Sequence, residues 1–294
     1  MSSIATERPR KKTRRRLDLW GIGGWIFLVA LLLFAAVPMV WMFLTSIKTQ
    51  FAALEYPPQW IPEAPTFAQY ENLLSPRSDI GPDFLRYMGN SVWVATATTV
   101  IGVLVAVPAA YAFSRMRFPG RGFLFYSVLL RNMFPAVVFL MPLFIVMRRL
   151  DLVNTHASLI LTYLTFGLPL SIWLLKGFYD NIPIELEHAA RIDGASRFQA
   201  FIRIIMPLSS PGIIATAIYS FIIAWNEYLY AVTFINSKEL LTLPVGLQRF
   251  FTEFVTNWPG LMAAAFIMSV PVVVLFLVLQ KYFVRALTEG AVKS

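Results

Sequence analysis

Six apolar runs, each long enough to cross a lipid bilayer, constrain this chain more than anything else in it: residues 22–47, 90–113, 122–147, 157–175, 208–235 and 261–283. A helical crossing takes roughly 20 apolar residues, because the hydrocarbon layer is about 30 Å thick and a helix rises about 1.5 Å per residue. Charged residues are 14% of the 294 and hydrophobic ones 57%, against about 25% charged in a soluble domain. With so few charges the six runs cannot all be buried in a water-soluble core. The predicted fold class is an all-α integral membrane protein whose six transmembrane helices occupy residues 22–283. The first run is too long for the apolar core of a cleaved signal peptide and no small-residue cleavage site follows it, so it is expected to stay as an anchor.

Loop charges orient the chain. With the N-terminus inside, 17 of the 25 lysines and arginines fall on the inner side and 7 on the outer side. The positive-inside rule then predicts both termini in the cytoplasm, with a basic tail at residues 1–21 and a short tail at 284–294. The net charge of +9 needs no nucleic acid to explain it. The basic run before Leu17 fits a topology signal, the commoner use of such a run beside a first span, ahead of contact with anionic lipid headgroups or RNA. Outside, residues 48–89 carry Pro57, Pro58, Pro62, Pro65, Pro76 and Pro82. They read as a compact extracytoplasmic cap too short for a domain of its own.

The inner loop at 183–207 reads as two short helices. Pro183 suits a first helical turn, and Glu185 and Glu187 follow it where the helix dipole favours negative charge. Gly194 is placed to end that helix in the left-handed region. Ser196 with Gln199 reads as a capping box opening the second helix, which Pro207 and Pro211 close or kink. Phe198, Phe201, Ile202 and Ile205 give the second helix an apolar face, which fits packing under the membrane helices as well as docking of a partner. For the first helix, with Ala189 and Ala190 flanked by charges, docking is the expectation.

Several chemistries find no residues. There is no cysteine, so disulfide and thiol chemistry are excluded. His156 and His188 stand apart from any ligand cluster, no metal site is suggested, and no Walker-type nucleotide sequence occurs. The glycines at 21, 23 and 24 open a membrane helix with no strand before them and fit close helix packing. A membrane-embedded enzyme would need a clustered nucleophile, base and orienting group, which are missing. Two charges lie deep within apolar runs, Arg131 in the third and Glu227 in the fifth, whereas Lys281 falls at the inner end of the sixth. Facing lipid would cost each about 2.5–3.5 kcal/mol on insertion scales, so both are expected to face protein or water. A mutual pair and two separate sites remain open. Trp225, Asn226, Glu227 and Tyr228, with Tyr230, make a candidate pathway or gate cluster, since rings can stack on sugar C–H faces while amide and carboxylate bond hydroxyls. An interfacial aromatic belt would use the same rings. Prolines at 38, 108, 135, 142, 169 and 271 are expected to kink spans.

The loop resembles the cytoplasmic loop of the inner-membrane permeases of binding-protein-dependent ABC importers, whose pattern is E-A-A, three residues, G, nine residues, I, one residue, L-P. Ala189, Ala190, Gly194, Ile204 and Pro207 fit it. Pro57-Pro58-Gln59-Trp60-Ile61-Pro62, Met133-Phe134-Pro135, Ala224-Trp225-Asn226-Glu227-Tyr228 and the tail Gly290-Ala291-Val292-Lys293 are similar to the maltose-type carbohydrate branch. The resemblance implies the six-helix fold of type I importers (MetI-like) and a permease that is not itself an enzyme, working as half of a sugar pathway in a bacterial or archaeal cytoplasmic membrane. The implied partners are a second permease subunit, a dimer of ATP-binding subunits that hold ATP and magnesium, an external solute-binding protein and the sugar. It also implies ATPase docking by Glu187, His188, Ala189, Ala190, Asp193, Gly194, Ala195 and Pro207. His188 stands where the family has glutamate and does not supply its fixed negative charge; Met206 replaces the family's leucine and Ser294 a terminal glycine. A secondary transporter driven by an ion gradient, with Arg131 and Glu227 as its coupling pair, is the rival reading. It leaves the two-helix loop unexplained, and no inverted repeat is evident.

Overall fold

The computed structural model describes residues 19–250 and 256–291, and within them the regular structure is helical. α1 (Leu19–Ser46) leads through two cap helices, α2 (Gln50–Leu54) and α3 (Ala68–Leu74), into the 35-residue α4 (Gly81–Arg115). Then come α5 (Arg121–Leu130), α6 (Leu140–Arg149) and α7 (His156–Asn181). The loop helices are α8 (Glu185–Ile192), α9 (Arg197–Ala200) and α10 (Met206–Leu208), followed by α11 (Ser210–Trp225), α12 (Leu229–Phe234), α13 (Leu243–Gly246) and α14 (Trp258–Ala291). Among the described residues four helices are single segments long and apolar enough to cross a membrane, and counting each of two bent pairs as one span gives six.

The bends are where the apolar runs and the helices part company. The third run divides into Arg121–Met133 and Ala136–Arg149, set 105° apart. Pro135 has no N–H to offer, and its ring disfavours helical backbone at the preceding residue; Phe134 is extended at φ −96°, ψ 136°. The other in-span prolines behave differently: Pro38, Pro108, Pro169 and Pro271 lie within continuous helices, and Pro142 sits in the first turn of α6. The second bend sets Arg197–Leu208 and Ser210–Trp225 74° apart, and the fifth run is interrupted again where α11 stops at Trp225 and α12 starts only at Leu229. α4 begins nine residues ahead of its apolar run, with Pro82 in its first turn and Asp83 at the dipole end, so residues 81–89 belong to a helix rather than to the cap. Gly81 is required there, since a β-carbon would meet the Ser75 carbonyl oxygen at 2.0 Å.

α4, α7 and α11 pack together at the centre, and α14 joins α11 to α1. α1 is exposed along most of its length, as a lipid-facing helix must be; Phe43 meets Phe266 of α14 at 5.1 Å. One buried cluster gathers Phe84, Tyr163, Trp225 and Phe234 towards the cap. The other gathers Tyr111, Tyr179, Phe201 and Ile205 towards the α8–α9 loop. The cap itself is tied down by Lys48, which is 2% exposed, donates to the Gln59 carbonyl and sits 4.6 Å over the Trp41 ring. Burial pushes its ammonium below the usual lysine range, with Glu55 opposing.

Candidate functional sites: the loop elbow and the membrane cavity

The loop folds as an elbow. α8 ends at Ile192, and Gly194 takes φ +90°. The Gly194 N–H bonds the Arg191 carbonyl at 3.2 Å and the Ala195 N–H the Ala190 carbonyl at 2.9 Å, a Schellman closure in which a glycine avoids the β-carbon penalty. Nothing lies within 4 Å of a β-carbon built on Gly194, so conformation alone demands glycine there. Beyond it the Ser196 hydroxyl accepts from the Gln199 N–H at 3.2 Å while the Gln199 side chain accepts from the Ser196 N–H at 2.8 Å. The second helix then widens into a π-turn, Phe201–Ile205. The wide turn leaves room for the ring of Pro207, which lacks an N–H of its own.

Burial sorts the residues of the elbow. His188, Ala189, Asp193, Gly194 and Pro207 are exposed and Ala195 is half-buried. Ile192 and Phe198 stand out at 85% and 70% exposed. The face of the second helix divides, with Phe201 and Ile205 buried and Phe198 and Ile202 exposed. Ala190 faces inward, and so does Glu187, at 5% exposed. The loop resemblance places Glu187 among the docking residues; its carboxylate instead accepts from the Tyr111 hydroxyl and lies 3.6 Å from Arg115 Nε. It is therefore corrected to an internal contact. Sequence reasoning took Arg115 only as a topology charge and did not find Tyr111. Tyr111 and Arg115 are one turn apart on α4, and no local pattern links that pair to Glu187 on α8.

The second site is a cavity of about 490 Å³ between α7, α11, α12 and the break in the third run. Its lining includes Arg131, Asn132, Tyr163, Phe166, Tyr219 and Glu227. The Arg131 guanidinium lies over the Phe166 ring, 3.3 Å from its centroid, and 5.2 Å from that of Phe139. Nη1 donates to Asn132 Oδ1 at 3.0 Å, while Nε and Nη2 are buried without a hydrogen-bond partner. Glu227 accepts from the Tyr163 hydroxyl at 2.7 Å and from the N–H groups of Tyr230 and Ala231 at 2.8 and 3.1 Å. It thereby caps α12. Arg131 and Glu227 share the cavity without forming an ion pair, since the carboxylate is already occupied.

Three residues expected beside them lie elsewhere. Trp225 is 1% exposed, stacks on Phe221 at 5.7 Å and donates to the Met268 carbonyl at 3.1 Å; it is packing rather than pathway. Asn226 donates back to the Ile222 carbonyl at 2.9 Å, and Tyr228 meets Gln248. Neither lines the cavity. Tyr230 does, with its hydroxyl bonded to the Ala136 carbonyl at 2.6 Å. Tyr163, Phe166 and Tyr219 were not singled out in the sequence, where they look like ordinary aromatic residues of membrane helices. Gly290 and Ala291 of the tail lie at the end of α14, and Val292 and Lys293 fall outside the described residues.

Bent, proline-broken spans around a cavity, with an exposed elbow at one end, define a multi-pass membrane transport protein. The comparisons carry this further. Residues 98–289 match the family described as binding-protein-dependent transport system inner membrane component. The sulfoquinovosyl glycerol transport system permease protein SmoH of Agrobacterium fabrum is 37% identical over 257 residues, covering 87% of this chain and 88% of its own. The trehalose transport system permease protein SugB of Mycobacterium tuberculosis is 37% identical over 263 residues, covering 89% and 93%. A solved bacterial ABC transporter that imports the acidic polysaccharide alginate superposes with a TM-score of 0.76 at 23% identity, over 93% of this chain and 100% of the other; that likeness speaks to the fold. The chain belongs to the family of inner-membrane components of binding-protein-dependent transport systems. It is a permease subunit rather than an enzyme.

Proposed function

We propose that this permease forms half of the translocation pathway of a sugar importer, pairs with a second permease subunit, receives solute from an extracytoplasmic binding protein and takes its energy from separate ATP-binding subunits that dock on the elbow. The observation that carries the ATPase reading is the pair of exposed apolar side chains, Ile192 and Phe198, on either side of the Gly194 turn. Side chains so exposed on a short, well-capped elbow fit the centre of a protein interface. The elbow lies at the end of the molecule that loop charges assign to the cytoplasm, so both termini are cytoplasmic in this reading. The sugar class comes from relatives named for a sulfoquinovosyl glycerol and for trehalose. The cavity agrees with it: Tyr163, Phe166 and Tyr219 offer rings, and Arg131 offers donors.

Co-purification of the ATP-binding subunit from membranes expressing the whole transporter tests the dock. Ile192→Ser with Phe198→Ser should cut recovery at least tenfold while membrane insertion stays normal, the tenfold corresponding to about 1.4 kcal/mol. Unchanged recovery would remove the elbow as the docking surface.

A further inference from the structure

At the inner ends of α4 and α7, one guanidinium and one carboxylate join three helices. Arg115 is the last residue of α4. Its Nη2 donates to the Tyr179 carbonyl at 2.7 Å and also to that of Ile182, which belong to the last turn of α7 and its C-cap. Carbonyls at that end of a helix lack the donor four residues on; the Tyr179 carbonyl accepts the Ile182 N–H at 3.2 Å, and the cation adds a second donor. Arg115 Nε lies 3.6 Å from Glu187 Oε2 in α8, with the two side chains 10% and 7% exposed. The other carboxylate oxygen of Glu187 accepts from the hydroxyl of Tyr111, one turn back on α4. The Tyr111 ring packs in turn on Phe201 at 4.4 Å and on Tyr179 at 6.3 Å.

α8 needs such an attachment. It has eight residues, of which only Glu187 and Ala190 are buried. So short a helix is not held by its own propensity, and one alanine methyl is little apolar surface with which to fix it. Apolar packing alone would also let the elbow slide, whereas a carboxylate shared between a fixed hydroxyl and a fixed guanidinium accepts one register. The role suits arginine specifically, because one rigid guanidinium donates through Nη2 to two carbonyls while its Nε faces the carboxylate as an ion pair without a hydrogen bond, a fixed arrangement that a lysine ammonium on a flexible stem does not supply.

We propose that Tyr111, Glu187 and Arg115 form a latch that makes α8 and the inner halves of α4 and α7 one rigid unit, delivering a displacement of the elbow to the helices that line the pathway. The three are positioning residues, and none is on the exposed face. The inference rests on the reading of the elbow as the ATPase dock.

The absence of cysteine allows spin labels to be placed at chosen sites. Glu185→Cys labels the exposed side of α8, and Leu104→Cys, at a position 68% exposed, labels the lipid side of α4. Their distance distribution is read in the whole transporter in nanodiscs, without nucleotide and after trapping with ATP and vanadate. With the latch intact it should be narrow and the same in both states. With Glu187→Gln it should broaden and shift on trapping, while the ATP-binding subunit co-purifies at the unsubstituted yield. Arg115→Lys should act in the same direction and Tyr111→Phe less strongly, which keeps the test alive if one variant fails to insert. Latch variants as narrow as the intact protein in both states, an intact protein whose distance itself shifts with ATP, or loss of the ATP-binding subunit from Glu187→Gln would each overturn the latch. Failure of the unsubstituted elbow to retain that subunit would overturn the docking reading instead, and the latch with it, through a different observable.

Discussion

The carboxylate of Glu227 has three donors within hydrogen-bond reach and a guanidinium elsewhere on the same cavity wall, and it is the donors that hold it. Two of them are N–H groups in the first turn of α12, where a helix leaves its donors unpaired and favours negative charge. Glu227 therefore restarts a helix after the break at residues 226–228. Glu227→Gln keeps the shape but turns one acceptor into a donor, which leaves an N–H or the Tyr163 hydroxyl unmatched. The expected loss is about 1–3 kcal/mol of stability, read as thermal unfolding in detergent. Arg131→Met should combine with it additively, within about 0.5 kcal/mol, because no ion pair joins the two. A larger coupling energy in that double-mutant cycle would show that they pair in the assembled transporter.

Among the elements, the elbow was the most legible in sequence and the interrupted spans the least. Gly194, Ser196 and Gln199 act on backbone within four residues of themselves, so local chemistry suffices to read them. Hydropathy, in contrast, reports whether a segment is apolar and not whether it is straight. It ran through the break at Pro135 and the one after Trp225 without a mark, and Pro108 and Pro169, which look the same in sequence as Pro135, sit inside unbroken helices. The cavity residues escaped for a related reason, since Tyr163 and Tyr219 acquire their meaning from the helices that face them. The elbow also yields graded tests. Gly194→Val should weaken ATPase association because φ +90° costs a β-branched residue about 1–2 kcal/mol or more. Gly194→Asn, which tolerates the left-handed region, should retain most of it. Equal association for the two would separate docking from the turn. His188 is exposed on the same helix. His188→Glu restores the family's anion, and if a basic pocket faces it, association should tighten at low salt and lose the gain as screening rises. Titration of ATPase-subunit binding across moderate salt reads this, and no change at any salt would place residue 188 off the interface.

For the whole molecule the decisive property is orientation, because the proposed roles of elbow and cap require them to lie on opposite sides of the membrane. The charge asymmetry that predicts this was counted on loops, and the helices separate the same groups: α3 and the outer end of α7 lie at the cap end, and α8 and the inner end of α4 at the other. Tyr56 of the cap and Ile192 of the elbow are 92% and 85% exposed, so each is a suitable place for a single cysteine in a chain that has none. Tyr56→Cys should react with a membrane-impermeant maleimide in intact cells stripped of any outer barrier, and Ile192→Cys should react only after permeabilisation. The exposure of both sites removes burial as a reason for silence, leaving the bilayer as the barrier that the experiment reads. Labelling of Ile192→Cys before permeabilisation would invert the topology. It would put the elbow where no ATP-driven subunit could reach it, and the loop resemblance would then have to be explained by something other than docking.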